Sequence, residues 1–143
     1  MDLPIRVEIE ELLGRYCDSV LRLDLDEFAA TWCEHATWAI PGSGVISGRD
    51  AIVETFAEIR GGYLRCLQQV LNGMVEVLDD DRASARWQVR ELQWRTDGTG
   101  SELLGVYHDE LERSAAGWRF ARRDFELIYD GPVAMPGRLR DSR

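Results

Sequence analysis

Between Val7 and Leu23 the apolar residues fall at Ile9, Leu12, Leu13, Tyr16, Val20 and Leu23. Those intervals of three and four place them on one stripe of a helix. Pro4 just upstream, with Glu8, Glu10 and Glu11 in the first turns, suits a helix N-terminus. A second, short helix is predicted from about Asp26 to Trp32, carrying Phe28 and Trp32. Ala36-Thr37-Trp38-Ala39-Ile40 reads as a strand stopped by Pro41-Gly42-Ser43-Gly44. Ser47 or Asp50 is placed to cap a third helix that runs through Ile59. Its buried face would be Ile52, Val53, Phe56 and Ile59, and Gly61-Gly62 would end it.

Beyond that point the period of the pattern shortens from about 3.6 to 2. Leu64 to Leu78 is β-rich, and Asp79-Asp80-Asp81 makes a polar turn. In the long strand Ala83 to Arg95, Ala85, Trp87, Val89 and Glu91 alternate with Arg86, Gln88 and Arg90. Thr96-Asp97-Gly98-Thr99-Gly100 turns the chain into a strand from Leu103 to Arg113. Ala115-Ala116-Gly117 then makes a hairpin into the last strand, Trp118 to Tyr129. No crossover helices separate these strands, so an antiparallel sheet is expected. Helices first and strands afterwards make an α+β pattern, with helices packed on one face of a curved sheet.

Composition narrows the class. The 143 residues suffice for one domain and one core. A net charge of −9, from 26 acidic and 17 basic residues, argues against a nucleic-acid binder and against adhesion to an anionic membrane. No stretch approaches the ~18 apolar residues of a membrane span, and the acidic N-terminus is unlike a signal peptide. A cytoplasmic location is the expectation. Cys17, Cys33 and Cys66 are widely spaced and odd in number, which speaks against a disulfide framework or a zinc knuckle. With two histidines and no cluster at ligand spacing, no metal site is expected.

Four segments carry a resemblance: Gly14-Arg15-Tyr16-Cys17-Asp18, Trp32-Cys33-Glu34-His35-Ala36-Thr37-Trp38, the run Val75 to Ala83, and Gly105-Val106-Tyr107-His108-Asp109-Glu110-Leu111 followed by Gly117 to Arg123. In this order and spacing the chain resembles the SnoaL-like branch of the nuclear transport factor 2-like superfamily. Scytalone dehydratase, hexachlorocyclohexane dehydrochlorinase and ketosteroid isomerase share that cone-shaped α+β fold. The resemblance implies one SnoaL-like domain over residues 1–130, with an irregular tail at 131–143 that could also swap onto a partner. It implies general acid–base chemistry (dehydration, elimination, cyclisation or isomerisation) on a hydrophobic cyclic or polyketide-like molecule. No metal or organic cofactor enters such chemistry. A homodimer through the sheet is the expected assembly.

The resemblance also points to residues. Tyr16 resembles the oxyanion-stabilising tyrosine of the isomerases; a core tyrosine would fit the same stripe. Asp24 falls where the dehydrochlorinases carry a catalytic aspartate; the alternative, which helix-capping preference favours slightly, is an N-cap before Asp26-Glu27-Phe28. The histidine partner of that aspartate is replaced here by Gln68, which can hydrogen-bond but cannot take a proton near neutral pH. Asp109 aligns with a protonated, hydrogen-bond-donating aspartate of the isomerases, and Glu91 with a pocket acid of a bile acid dehydratase. The alternative for these two is a cross-strand salt bridge with Arg123 or Arg90. The expectation is therefore Asp24, Asp109 and Tyr16 as catalytic groups. Gln68, Trp38, Trp87, Glu91, Tyr107, Phe56 and Arg123 would contact substrate. Two rival readings stand: an accessory subunit like the β subunits of ring-hydroxylating dioxygenases, and an epoxide hydrolase using an Asp–Arg–Asp set. Arg90 and Glu91 are adjacent and would face opposite ways, which counts against the second.

Overall fold

The computed structural model describes residues 4–143, so the acidic N-terminal expectation at Met1–Leu3 lies outside the described residues. Helix α1 spans Ile5–Arg22 and buries the expected stripe Ile9, Leu12, Leu13, Tyr16 and Val20, with Ser19 between them. It ends at Leu23, whose φ of 54° is left-handed, a conformation that disfavours a branched side chain. The Asp24 N–H bonds back to the Ser19 carbonyl at 3.0 Å, and the Asp24 carboxylate then accepts from the Glu27 N–H at 3.0 Å. Asp24 thereby caps helix α2 (Leu25–Ala30), and one residue turns the corner between two helices.

Strand β1 (Trp32–Ile40) starts earlier than the pattern suggested, so Trp32 lies in the sheet and not in a helix. Residues Gly44–Ser47, expected as loop and cap, form a short strand β2 that pairs antiparallel with β1. Helix α3 (Arg49–Arg60) is preceded by Gly48 at φ 92°, with no side-chain cap from Ser47 or Asp50. The reason is backbone geometry: leaving a strand edge for a helix within one residue needs a left-handed φ, which only glycine adopts without strain.

The remaining strands are β3 (Tyr63–Val77), β4 (Arg82–Arg95), β5 (Gly100–Ser114) and β6 (Gly117–Pro132). The sheet order is β2-β1-β6-β5-β4-β3. β3 to β6 form the expected antiparallel meander, whereas β1 joins β6 in parallel register, Trp38 opposite Arg123. Everything between β1 and β6 serves as the crossover that a parallel pair requires. The tail from residue 133 has no regular structure. It lies back along its own chain, with the Val133 N–H donating to the Gly100 carbonyl and the Arg65 guanidinium to the Arg140 carbonyl.

The inner face of the curved sheet and the three helices enclose an aromatic core. Phe28 stacks on Phe56 with centroids 4.0 Å apart, and Tyr16 packs against Phe28, Trp32, Tyr107 and Phe120. Each of these fully buried aromatics contributes about 1.5–3 kcal/mol of transfer free energy. The cluster fills one end of the cone and leaves the other open.

Candidate active site

At the open end lies a cavity of about 320 Å³. Its walls are largely apolar, with Trp38, Phe56, Tyr63, Val89 and Phe125 prominent, and its polar lining comes from Tyr16, Tyr107, Gln68, Glu91, Gln93, Arg60, Arg95 and the exposed Asp130. Register explains why the acid sits there. Gln68 on β3 is directly opposite Glu91 on β4, and Glu91 is directly opposite Leu103 on β5. Since alternate residues share a face, Val89, Glu91 and Gln93 all turn inward.

The Glu91 carboxylate is held by amides alone. Gln68 Nε2 donates to one oxygen at 3.1 Å and Gln93 Nε2 to the other at 2.7 Å. Gln93 is fixed in turn by the Ser101 hydroxyl, which donates to its Oε1 at 2.7 Å. No salt bridge to Glu91 is formed among the described residues; Arg60 lies near enough to be felt, while its Nε and Nη1 donate to the Val20 and Tyr63 carbonyls. Burial therefore dominates and raises the Glu91 pKa above the ordinary carboxyl value, although both amides and Arg60 pull the other way.

Gln68 Nε2 also donates to the Tyr107 hydroxyl at 3.0 Å, and the Tyr107 ring meets that of Tyr16 edge-on, with centroids 6.1 Å apart. Burial pushes the Tyr16 phenol up to about 12 and the Tyr107 phenol well above its usual value, so both remain proton donors throughout the physiological range. Gln68 Oε1 is enclosed and has no hydrogen-bond partner. A buried amide oxygen in that state lacks a donor that a guest in the cavity can supply.

Several sequence expectations are corrected by this geometry. Asp24 does not line the cavity; it caps α2 at the surface and also meets Arg22 at 3.3 Å, and these contacts hold its carboxyl below the usual range. Asp109 does not line it either. Its two oxygens take a bidentate pair of bonds from Arg123, at 2.8 and 3.0 Å, with both side chains fully enclosed. Arg123 lies behind the tyrosines, stacked 4.3 Å from the Tyr16 ring and 3.7 Å from that of Tyr107. Burial opposes its charge, but Asp109 offsets that and leaves Arg123 more firmly protonated than an ordinary arginine. The cross-strand salt bridge is thus the role of Asp109, and Arg123 supports the tyrosines from behind without reaching a guest. Trp87 is also displaced from its expected role: it packs over Gly73 on the neighbouring strand, where any side chain would collide with the ring.

The structure does gather Tyr16, Gln68, Glu91, Tyr107, Trp38 and Phe56 around one space. It adds Gln93, Arg60, Tyr63 and Arg95, which sequence reasoning missed. Gln93 was detectable from period-2 spacing after Glu91; Arg60 and Tyr63 required knowing that α3 folds back over the mouth. Arg90 faces away and pairs with Glu102 at 2.9 Å, so no Asp–Arg–Asp set for epoxide opening forms around Glu91.

A six-stranded cone closed by three helices, with a half-buried carboxyl among amides and phenols, defines a pocket protein of the α+β cone class. The chain belongs to the SnoaL-like domain family, whose model matches residues 1–124. It is 26% identical over 134 residues to gamma-hexachlorocyclohexane dehydrochlorinase of Sphingobium indicum, covering 90% of this chain and 84% of that one. Among solved structures, a type 2 hexachlorocyclohexane dehydrochlorinase superposes with a TM-score of 0.83 at 21% identity, covering 90% of this chain and 88% of the other. A nuclear transport factor 2-like protein with a cystatin-like fold from Novosphingobium aromaticivorans superposes with a TM-score of 0.71 at 26% identity, covering 86% and 81%. No helix among the described residues is long and apolar enough to cross a membrane.

Proposed function

We propose that the protein is a lyase-type enzyme in which Glu91 takes a proton from carbon during elimination on a cyclic, largely apolar substrate. The observation that carries this reading is the Glu91 carboxyl itself: half-buried, without a salt bridge, and facing a cavity sized for a small ring system. A carboxyl whose pKa is raised is a stronger base once ionised, and lies closer to the operating pH. Similarity to the dehydrochlorinases supports elimination as the reaction class. There the base is a histidine; here Gln68 occupies that position and Glu91, its hydrogen-bonded neighbour across the strand pair, takes over the proton.

In the proposed step the Glu91 carboxylate removes a proton from one ring carbon. The C–H electron pair becomes the new π bond, and the group on the adjacent carbon leaves with its own bonding pair. If that group is hydroxide, the Tyr16–Tyr107 pair supplies a proton to it and is reprotonated from solvent. If it is halide, the same hydroxyls solvate the departing anion. Gln68 Oε1 accepts a hydrogen bond from the guest and fixes its orientation. Only proton transfers are required, so no cofactor enters. The accessory-subunit reading gives no reason to keep an unpaired acid at the back of a cavity, at the cost burial exacts.

The test is a comparison of the parent protein with Glu91→Gln and Asp24→Asn on a panel of cyclic β-hydroxy ketones and β-halo compounds in D2O. Alkene formation and C–H exchange are followed by NMR. Glu91→Gln is expected to lower the rate by about 10²-fold or more, with Asp24→Asn close to the parent. The opposite ranking would return the base to Asp24 and end this proposal.

A further inference from the structure

On the outside of the cone, away from the cavity, the sheet brings together three side chains of metal-ligating type. Cys33 and His35 are two apart on β1, and Glu112 lies on β5, reaching across the intervening β6. His35 Nε2 is 3.1 Å from Glu112 Oε2, Cys33 Sγ is 3.9 Å from the same oxygen, and all three ligand atoms lie within 4.8 Å of one another. We propose that Cys33, His35 and Glu112 form a binding site for a divalent transition-metal ion of the Zn²⁺ type.

The argument is geometric. In a tetrahedral zinc shell, with Zn–N and Zn–O near 2.0–2.2 Å and Zn–S near 2.3 Å, neighbouring ligand atoms stand roughly 3.3–3.6 Å apart. The observed separations bracket that spacing, so an ion can be accommodated by side-chain adjustment of about an ångström or less. The β1–β6 register slips between Trp32 and Thr37, and this irregular stretch is the one that presents Cys33 and His35. Bulged strands re-aim side chains in this way.

Ligand chemistry selects the ion. Thiolate and imidazole are donors that favour zinc, cobalt or copper over calcium or magnesium. Arg49 and Arg119 stand near Cys33 and work against any cation, and burial pushes the Cys33 thiol up to about 11. The ion must therefore be one that displaces the thiol proton and binds by coordination rather than by charge alone. With three protein ligands and a solvent-facing histidine, the fourth position is open to water. Held there, the ion would clasp β1 to β5 across β6.

The experiment uses untagged protein, freed of metal with a chelator and titrated with Co²⁺. Cobalt reports a thiolate ligand by an intense charge-transfer absorption in the near ultraviolet, and Zn²⁺ should then displace it. One equivalent is expected to bind with that band present and to raise the thermal midpoint. Cys33→Ser should abolish the band, and His35→Gln and Glu112→Gln should each weaken binding by at least about 10²-fold. His35 is two-thirds exposed, so its variant tests the site with the fold intact. Absence of the band in the parent, or affinity unchanged in both His35→Gln and Glu112→Gln, would overturn the proposal.

Discussion

Asp24, Asp109 and Glu91 show how three carboxylates of similar standing in the sequence are sorted by their surroundings. Asp24 is consumed by a helix corner and Asp109 by an arginine, whereas Glu91 meets only amides and the cavity. Its raised pKa has a stability consequence with a definite sign. The folded state holds the Glu91 proton to higher pH than the unfolded chain does. Stability contributed by that proton is full below the unfolded carboxyl's pKa and is lost as pH rises through the folded value. Glu91→Gln removes the loss, so the variant should be catalytically impaired yet melt higher than the parent, with the gap widening from acid to neutral pH. Thermal melts at several pH values would check this; a gap that closes as pH rises would contradict it. The resemblance marked Glu91 as a pocket residue, and its alternation with Arg90 placed the two on opposite faces. It did not reveal that Gln68 stands opposite, because register depends on where β3 bulges between Val70 and Asn72.

At the scale of elements, the α1–α2 corner depends on a left-handed Leu23 followed by the Asp24 cap. Asp24→Ala should lower the thermal midpoint modestly while leaving kcat nearly unchanged, a separation that circular-dichroism melts and initial rates would show together. A large loss of kcat with an unaltered melt would indicate a catalytic part for Asp24. Helix α1 and the strand meander were legible because their periods are long and regular. Strand β2 was not, since Gly44 and Ser47 carry turn and cap signals that edge pairing with β1 overrides. The metal-ligand cluster was equally hidden: Cys33 and His35 are near in sequence, but Glu112 joins them only through the strand order.

For the molecule as a whole, the Asp109–Arg123 pair anchors β5 to β6 behind the tyrosines. Removing one partner leaves the other charge enclosed without compensation. Asp109→Asn should therefore cost about 3–5 kcal/mol in a denaturant unfolding measurement. Asp109→Asn combined with Arg123→Met should recover part of that loss, because neither charge then remains. No recovery in the double variant would mean that the two residues act independently.

The seat of β6, between β1 on one side and β5 on the other, has a consequence for biosynthesis. The first strand to leave the ribosome pairs at once with the short β2, but its other edge finds β6 only when nearly all of the polypeptide has been made. Until then the meander has an exposed edge and the helices cover an unfinished bowl. The interior space is thus the last thing the nascent protein acquires, and a truncation anywhere ahead of β6 would leave it with none.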